Sequence, residues 1–136
     1  GAVDYIASLG TGETRRAQIA SAYGAIGAHE TTLSERFLSG IGTIPGIRLF
    51  GHTEMSDRTP TFAIDVTGVA PADVSRKLGA AGCFVWSGDY YAYEVMHRLD
   101  KPSTGLVRIG FVHYNTIAEV DRVLDELGTI ARFRPS

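Results

Sequence analysis

The stretch from Leu106 to Glu119 constrains the fold more than any other part of the chain. Residues alternate over Leu106–His113, which puts Val107, Ile109 and Phe111 on one face of a strand. Leu106, Arg108, Gly110 and Val112 fall on the other. Thr116-Ile117-Ala118-Glu119 follows almost at once, a capping box in which Thr and Glu each satisfy an orphan backbone donor at a helix start. Ile117, Val120, Leu124, Leu127 and Ile130 then provide that helix with a core stripe. A half-buried strand feeding a capped helix marks an α/β-type domain.

The remaining elements lie upstream. Val3, Tyr5, Ile6 and Leu9 recur at helical spacing over Ala2–Leu9, a short element expected to pack against partners beyond these residues. A long helix is expected from Glu13 to about Ile41, with Ile19, Tyr23, Ile26, Leu33, Phe37 and Ile41 on one stripe and Glu30 in its single polar position. Gly24 and Gly27 suggest a close backbone approach, whereas Gly40 and Gly42 suggest a fraying end before the Pro45-Gly46 turn. Ile47–Phe50 reads as a strand and His52–Arg58 as a polar loop. Phe62, Ile64 and Val66 alternate with Thr61, Ala63 and Asp65 in a second strand. Pro71 opens a helix carrying Val74, Leu78 and Ala81, which Gly82 stops. Cys83–Ser87 is β-rich. Ser87-Gly88-Asp89 is a turn, and Ala92, Val95, Met96 and Leu99 form a short helix before the Asp100–Gly105 loop. Few of these strands are joined by full helical crossovers. The expected fold is therefore α+β: a small mixed or antiparallel sheet of about four strands, helices on one face, and a long N-terminal helix before it.

Composition excludes several classes of function. At 136 residues the chain has the size of a single domain. Thirteen Lys+Arg against fifteen Asp+Glu, without a block of one sign, disfavour nucleic acid or a membrane surface as partner. The apolar runs are too short to cross a bilayer, and no secretory leader opens the sequence. The lone Cys83 excludes an internal disulfide and fits a reducing cytoplasm; it reads as a buried, inert thiol. His29, His52, His97 and His113 lack metal-ligand spacing, and Gly10-Thr11-Gly12 lacks the spacing of a phosphate loop.

Two places suit chemistry. Arg108 projects from the face opposite Val107, Ile109 and Phe111, and Gly110 leaves a bare patch beside it. A guanidinium so placed can receive a carboxylate or phosphate through two parallel hydrogen bonds, or simply face solvent. Trp86-Ser87-Gly88-Asp89-Tyr90-Tyr91 surrounds a glycine turn with aromatics and a carboxylate. Ser87, Gly88, Asp89, Tyr90 and Tyr91 are thus a candidate site rim, unless the two tyrosines merely pack on a loop.

The string Arg108-Ile109-Gly110-Phe111-Val112-His113-Tyr114-Asn115-Thr116, with Glu119-Val120-Asp121-Arg122 after it, resembles the C-terminal end of class-V aminotransferase-type enzymes that use pyridoxal 5′-phosphate (PLP), above all the cysteine desulfurase-like group. Pro45-Gly46-Ile47-Arg48-Leu49-Phe50-Gly51, Arg58-Thr59-Pro60-Thr61-Phe62 and Val85-Trp86-Ser87-Gly88-Asp89-Tyr90-Tyr91-Ala92 are similar to the same group, in the same order. The resemblance implies that residues 1–136 are one C-terminal small domain, with a helical lead-in over 1–44 and a sheet-and-helix domain over 45–136. It implies a much longer parent whose large domain, absent from these residues, holds PLP on a lysine; no cofactor is expected in this part alone, which is expected to be inactive. By position, Arg108 matches the arginine that binds the substrate's α-carboxylate, and no residue here is expected to be catalytic. Implied partners are an amino-acid substrate, the large domain and a second copy in a homodimer. Tyr91 takes the place of the sulfur-accepting cysteine of the closest cysteine desulfurases, and neither Lys77 nor Lys101 lies where the family places its PLP lysine. A stand-alone small-ligand or regulatory domain, or a protein-interaction domain, is the alternative.

Overall fold

The computed structural model describes residues 1–55 and 58–133. The elements follow the expected order: α1 (Ala2–Ser8), α2 (Arg15–Ile41), β1 (Ile47–Phe50), β2 (Thr61–Val66), α3 (Pro71–Ala80), β3 (Trp86–Gly88), α4 (Tyr93–Arg98), β4 (Leu106–Gly110) and α5 (Ile117–Arg132). The strands form one sheet in the order β1-β2-β4-β3, and each neighbouring pair is antiparallel. Within the polar loop expected over His52–Arg58, Ser56 and Asp57 lie outside the described residues.

Alternation determines which residues the core receives. Phe62, Ile64 and Val66 of β2 and Val107 and Ile109 of β4 are buried on one face of the sheet. They join Leu33, Phe37 and Ile41 of α2, Val74 and Leu78 of α3, and Val120, Leu124, Leu127 and Ile130 of α5 in a single cluster. Phe37 lies between Phe62 and Phe111, with ring centroids 4.5 and 5.3 Å away, close to the tilted separations aromatic pairs favour. Ile117, expected in the core stripe of α5, is instead exposed, and the stripe reaches the core from Val120 onward.

Several sequence-level expectations need correction. Helix α2 begins at Arg15 rather than Glu13, since the Thr14 hydroxyl accepts from the Ala17 N–H as an N-cap. Only the second half of its stripe reaches the core, and Tyr23 is exposed. Helix α1 finds its partner within the chain: Gly10 packs so tightly on α2 that a Cβ there would lie 1.9 Å from the Gln18 carbonyl oxygen. Gly24 and Gly27 have open space around them and no close backbone neighbour. The close approach occurs at Gly40, where a Cβ would meet Leu124 of α5 at 2.3 Å, so this glycine admits a helix crossing rather than a frayed end.

The strand limits also move, for identifiable reasons. The Cys83 N–H donates to the Leu78 carbonyl and Gly82 takes a φ of +80°, which caps α3. That bond uses the backbone of Cys83, and β3 begins only at Trp86. Strand β4 stops at Gly110, short of His113, because the Val112 N–H turns to the Asn115 side chain at 2.9 Å.

Candidate functional site

The register sorts the outer face of the sheet residue by residue. Arg108 pairs with Ala63 on β2 and with Trp86 on β3, and Ala63 pairs with Phe50 on β1. These four share one row and one face, since directly opposed residues of an antiparallel pair point the same way. Gly110 pairs with Thr61 in the next row. A Cβ on Gly110 would find only the Pro60 carbonyl oxygen and the Thr61 hydroxyl, both at 3.7 Å, so the space beside Arg108 is open. Arg108 is exposed and, among the described residues, makes no hydrogen bond or ion pair.

The guanidinium is not adrift. Its carbon lies 5.1 Å from the centroid of the Tyr90 ring, within cation–π range. The Tyr90 phenol donates to the Leu106 carbonyl, two residues before Arg108 on the same strand. Burial pushes this phenol well above the ordinary tyrosine range, against a smaller opposing pull from the positive charge of Arg108. The turn that carries the ring is unusual. Tyr90 and Tyr91 both adopt left-handed backbone, with φ of 56° and 60°, a conformation that side chains other than Gly, Asn and Asp seldom take. Asp89 supports the turn by accepting the Tyr91 N–H at 3.0 Å. Gly105 packs against the backbone of Gly88 and keeps the end of β3 closed onto the start of β4.

Of the residues expected to border a site, Gly88 and Tyr90 lie on the side of Arg108. Ser87 pairs with Val107 and therefore shares the inner face. Tyr91 is fully exposed at the tip of the turn, and Asp89 is engaged in holding that turn. Two supporting features had no signal in the spacing. Lys101 pairs with Asp65 at 2.6 Å and pins the loop before β4 to the sheet. Arg58 donates to the His52 and Thr61 carbonyls and lies over the Phe62 ring, drawing together the ends of its loop.

A cleft of about 440 Å³ opens where the chain before β3 splays from the end of β4, between Phe84, Val85, Gly110 and the first turn of α5. Three of its polar side chains are already engaged. Arg122 donates to the Ala81 carbonyl, Asn115 accepts from Val112, and Glu119 accepts from Thr116. Cys83 is buried at its floor, and burial pushes the thiol above its usual range, a setting that suppresses the thiolate. Among the described residues no group of three or more His, Cys, Asp or Glu side chains is placed to hold a metal ion. No helix among them is long and apolar enough to cross a membrane.

A family model described as aminotransferase class-V matches residues 6–123. A probable cysteine desulfurase of Synechocystis sp. is 30% identical over 133 residues, covering 97% of this chain and 28% of the relative. The nonribosomal peptide synthetase-like enzyme fsqF of Aspergillus fumigatus is 35% identical over 108 residues, covering 76% of this chain but 7% of that protein. Among solved structures, the apo cysteine desulfurase from Thermococcus onnurineus NA1 superposes with a TM-score of 0.76 at 25% identity, over 87% of this chain and 30% of that one. The chain thus spans less than a third of the length of each of these three proteins.

Proposed function

The chain belongs to the class-V aminotransferase family, within its cysteine desulfurase-like branch, and from that premise we propose that it acts as the C-terminal small domain of a PLP-dependent enzyme, with Arg108 binding the α-carboxylate of an amino-acid substrate. In this reading residues 1–44 are the helical lead-in and 45–136 the sheet-and-helix domain. The observation that carries the proposal is the exposed guanidinium of Arg108, without a polar partner among the described residues, beside the bare backbone of Gly110. Two parallel N–H groups of that fork match the two oxygens of a carboxylate, and the missing side chain at position 110 leaves room for it.

PLP does not fit the residues present. Lys101 is tied to Asp65 on the outer face of the sheet, so its ammonium is already committed to a carboxylate, and Lys77 stands exposed on α3. The cofactor, which acts as an electron sink for amino-acid chemistry, would be held by other parts of the whole protein. The contribution of this chain is orientation. A carboxylate gripped at both oxygens fixes the rotation of the substrate about its Cα, and such positioning accounts for much of the rate in sites of this kind. Sulfur transfer through the Tyr91 turn is no part of the proposal, because a phenol cannot carry a persulfide and Cys83 is buried elsewhere. A homodimer and a cytoplasmic location accompany the family reading.

The test is the whole enzyme, purified with its yellow cofactor and screened against amino acids for release of sulfide, ammonia or keto acid. Arg108→Ala is expected to keep the cofactor and to lower kcat/KM by roughly 30-fold or more, the consequence of removing one partner of a charge-assisted pair. Unchanged turnover in that variant overturns the assignment.

A further inference from the structure

We propose that Tyr90 is a positioning residue for Arg108, its ring serving as a platform that sets the plane of the guanidinium before any carboxylate arrives. The inference rests on the reading of Arg108 given above and adds to it a second residue with a different task. An arginine on an open strand face has many rotamers, and holding one of them costs conformational entropy. Nothing polar restrains Arg108: among the described residues it has no hydrogen bond and no acidic partner. Its cross-strand neighbours Ala63 and Trp86 offer no charge. The ring of Tyr90, 5.1 Å from the guanidinium carbon, is what remains to orient it. A stacked guanidinium keeps its edge N–H groups free for a ligand, whereas an ion pair would occupy them.

The platform is itself fixed at both ends. At one end the phenol donates to the Leu106 carbonyl, which lies on the strand that carries Arg108, so ring and guanidinium share one frame of reference. At the other end the backbone of Tyr90 is held at a φ of 56°, and the next residue at 60°. Two consecutive tyrosines in this region persist only where their surroundings impose it, and such strain gathers at functional sites. Gly105 against Gly88 and Asp89 on the Tyr91 N–H supply the constraint. The hydroxyl is committed to a carbonyl, and burial keeps it protonated, so what Tyr90 offers a ligand site is its ring and not a proton.

Two variants separate the ring from the hydroxyl. Tyr90→Phe keeps the platform, and Tyr90→Asn removes it with a residue that tolerates the left-handed backbone. Folding of each is checked from the amide NMR spectrum of the core residues. The readout is the Nε–H resonance of Arg108 in the 136-residue chain, alone and during titration with sodium acetate. In the parent chain and in Tyr90→Phe the proton is expected upfield of the other arginines, from the ring beneath it, and to shift with acetate. In Tyr90→Asn the upfield position should vanish and the acetate midpoint should rise about two- to five-fold. An unaltered resonance and midpoint in Tyr90→Asn overturn the role of Tyr90 and leave Arg108 untouched. An Arg108 resonance that ignores acetate in the parent chain overturns the carboxylate reading, and the proposal falls with it.

Discussion

The two faces of the sheet are built by alternate residues of the same strands, yet they obey opposite rules. The inner face of β2 and β4 presents Phe62, Ile64, Val107 and Ile109, all sealed by helices. What matters there is volume and fit, since a closely packed interior registers the loss of even one methylene. The outer face, one residue out of step, carries Ala63, Arg108, Gly110 and Trp86. What matters there is chemical identity and open space: an arginine whose N–H groups have no partner among the described residues, and a glycine that leaves room. The inner face would tolerate another apolar group of the same size but not a gap. The outer face would tolerate the loss of volume but not a change of chemistry. One strand can satisfy both demands because its side chains alternate.

The sharpest way to break this contrast is to truncate one residue on each face. Phe62 is buried against Phe37 and Phe111, and Phe62→Ala is expected to cost about 3–5 kcal/mol in chemical denaturation. Arg108→Ala, one ladder position away on the open face, should change stability by no more than about 0.5 kcal/mol. Comparable losses for the two would mean that the outer face is structural after all. A smaller effect is expected where the faces are joined at their edge. Gly105 has a φ of +64°, and a Cβ there would lie 2.1 Å from the backbone of Gly88. The obstacle is backbone and cannot swing aside, so Gly105→Ala should cost about 2 kcal/mol and loosen the turn bearing Tyr90. Circular dichroism during thermal unfolding would report the loss, and a variant as stable as the parent would show that the end of β3 is free to move.

What could be seen in the sequence follows the same division. The inner face was legible because periodicity alone fixes it: Val107, Ile109 and Phe111 are buried as their spacing demands, and so are Val74, Leu78, Leu124 and Leu127. The outward direction of Arg108 was legible for the same reason. Features made by residues far apart in the chain left no local mark. Nothing near Gly40 announces that Leu124 of α5 lies on it, and Gly24 and Gly27 look equally suited to a crossing that does not occur. Backbone groups claimed by side chains or caps shifted the strand ends, as with Asn115 at Val112 and the cap of α3 at Cys83. The stacking of Tyr90 on Arg108 spans eighteen positions of sequence and depends on a left-handed turn at two tyrosines, where no residue type signals it. The order of elements belongs to the chain; the approach of distant surfaces belongs to the packing.

A loss smaller than that at Gly105 is expected at the helix that covers the inner face. Thr116 and Glu119 cap α5 reciprocally: Thr116 accepts from the Glu119 N–H, and Glu119 accepts from the Thr116 N–H at 2.7 Å. Thr116→Ala should therefore cost about 1 kcal/mol. The hydrogen bond from the Thr116 backbone, joined by that from its hydroxyl, holds the Glu119 carboxyl below the usual glutamate range. A carboxyl lowered on folding binds its proton more weakly in the native state than in the unfolded chain. Its contribution to stability is therefore complete above the ordinary glutamate value of about 4.3, and fades as pH falls through that value towards the lower native one. Glu119→Gln keeps an oxygen for the cap but cannot titrate. The parent should thus be the more stable of the two near neutral pH, and the gap between them should close on acidification, as measured by urea unfolding across the acid range. A gap that stays constant down to the acid limit would show that the cap works through its geometry alone, with no share from the charge.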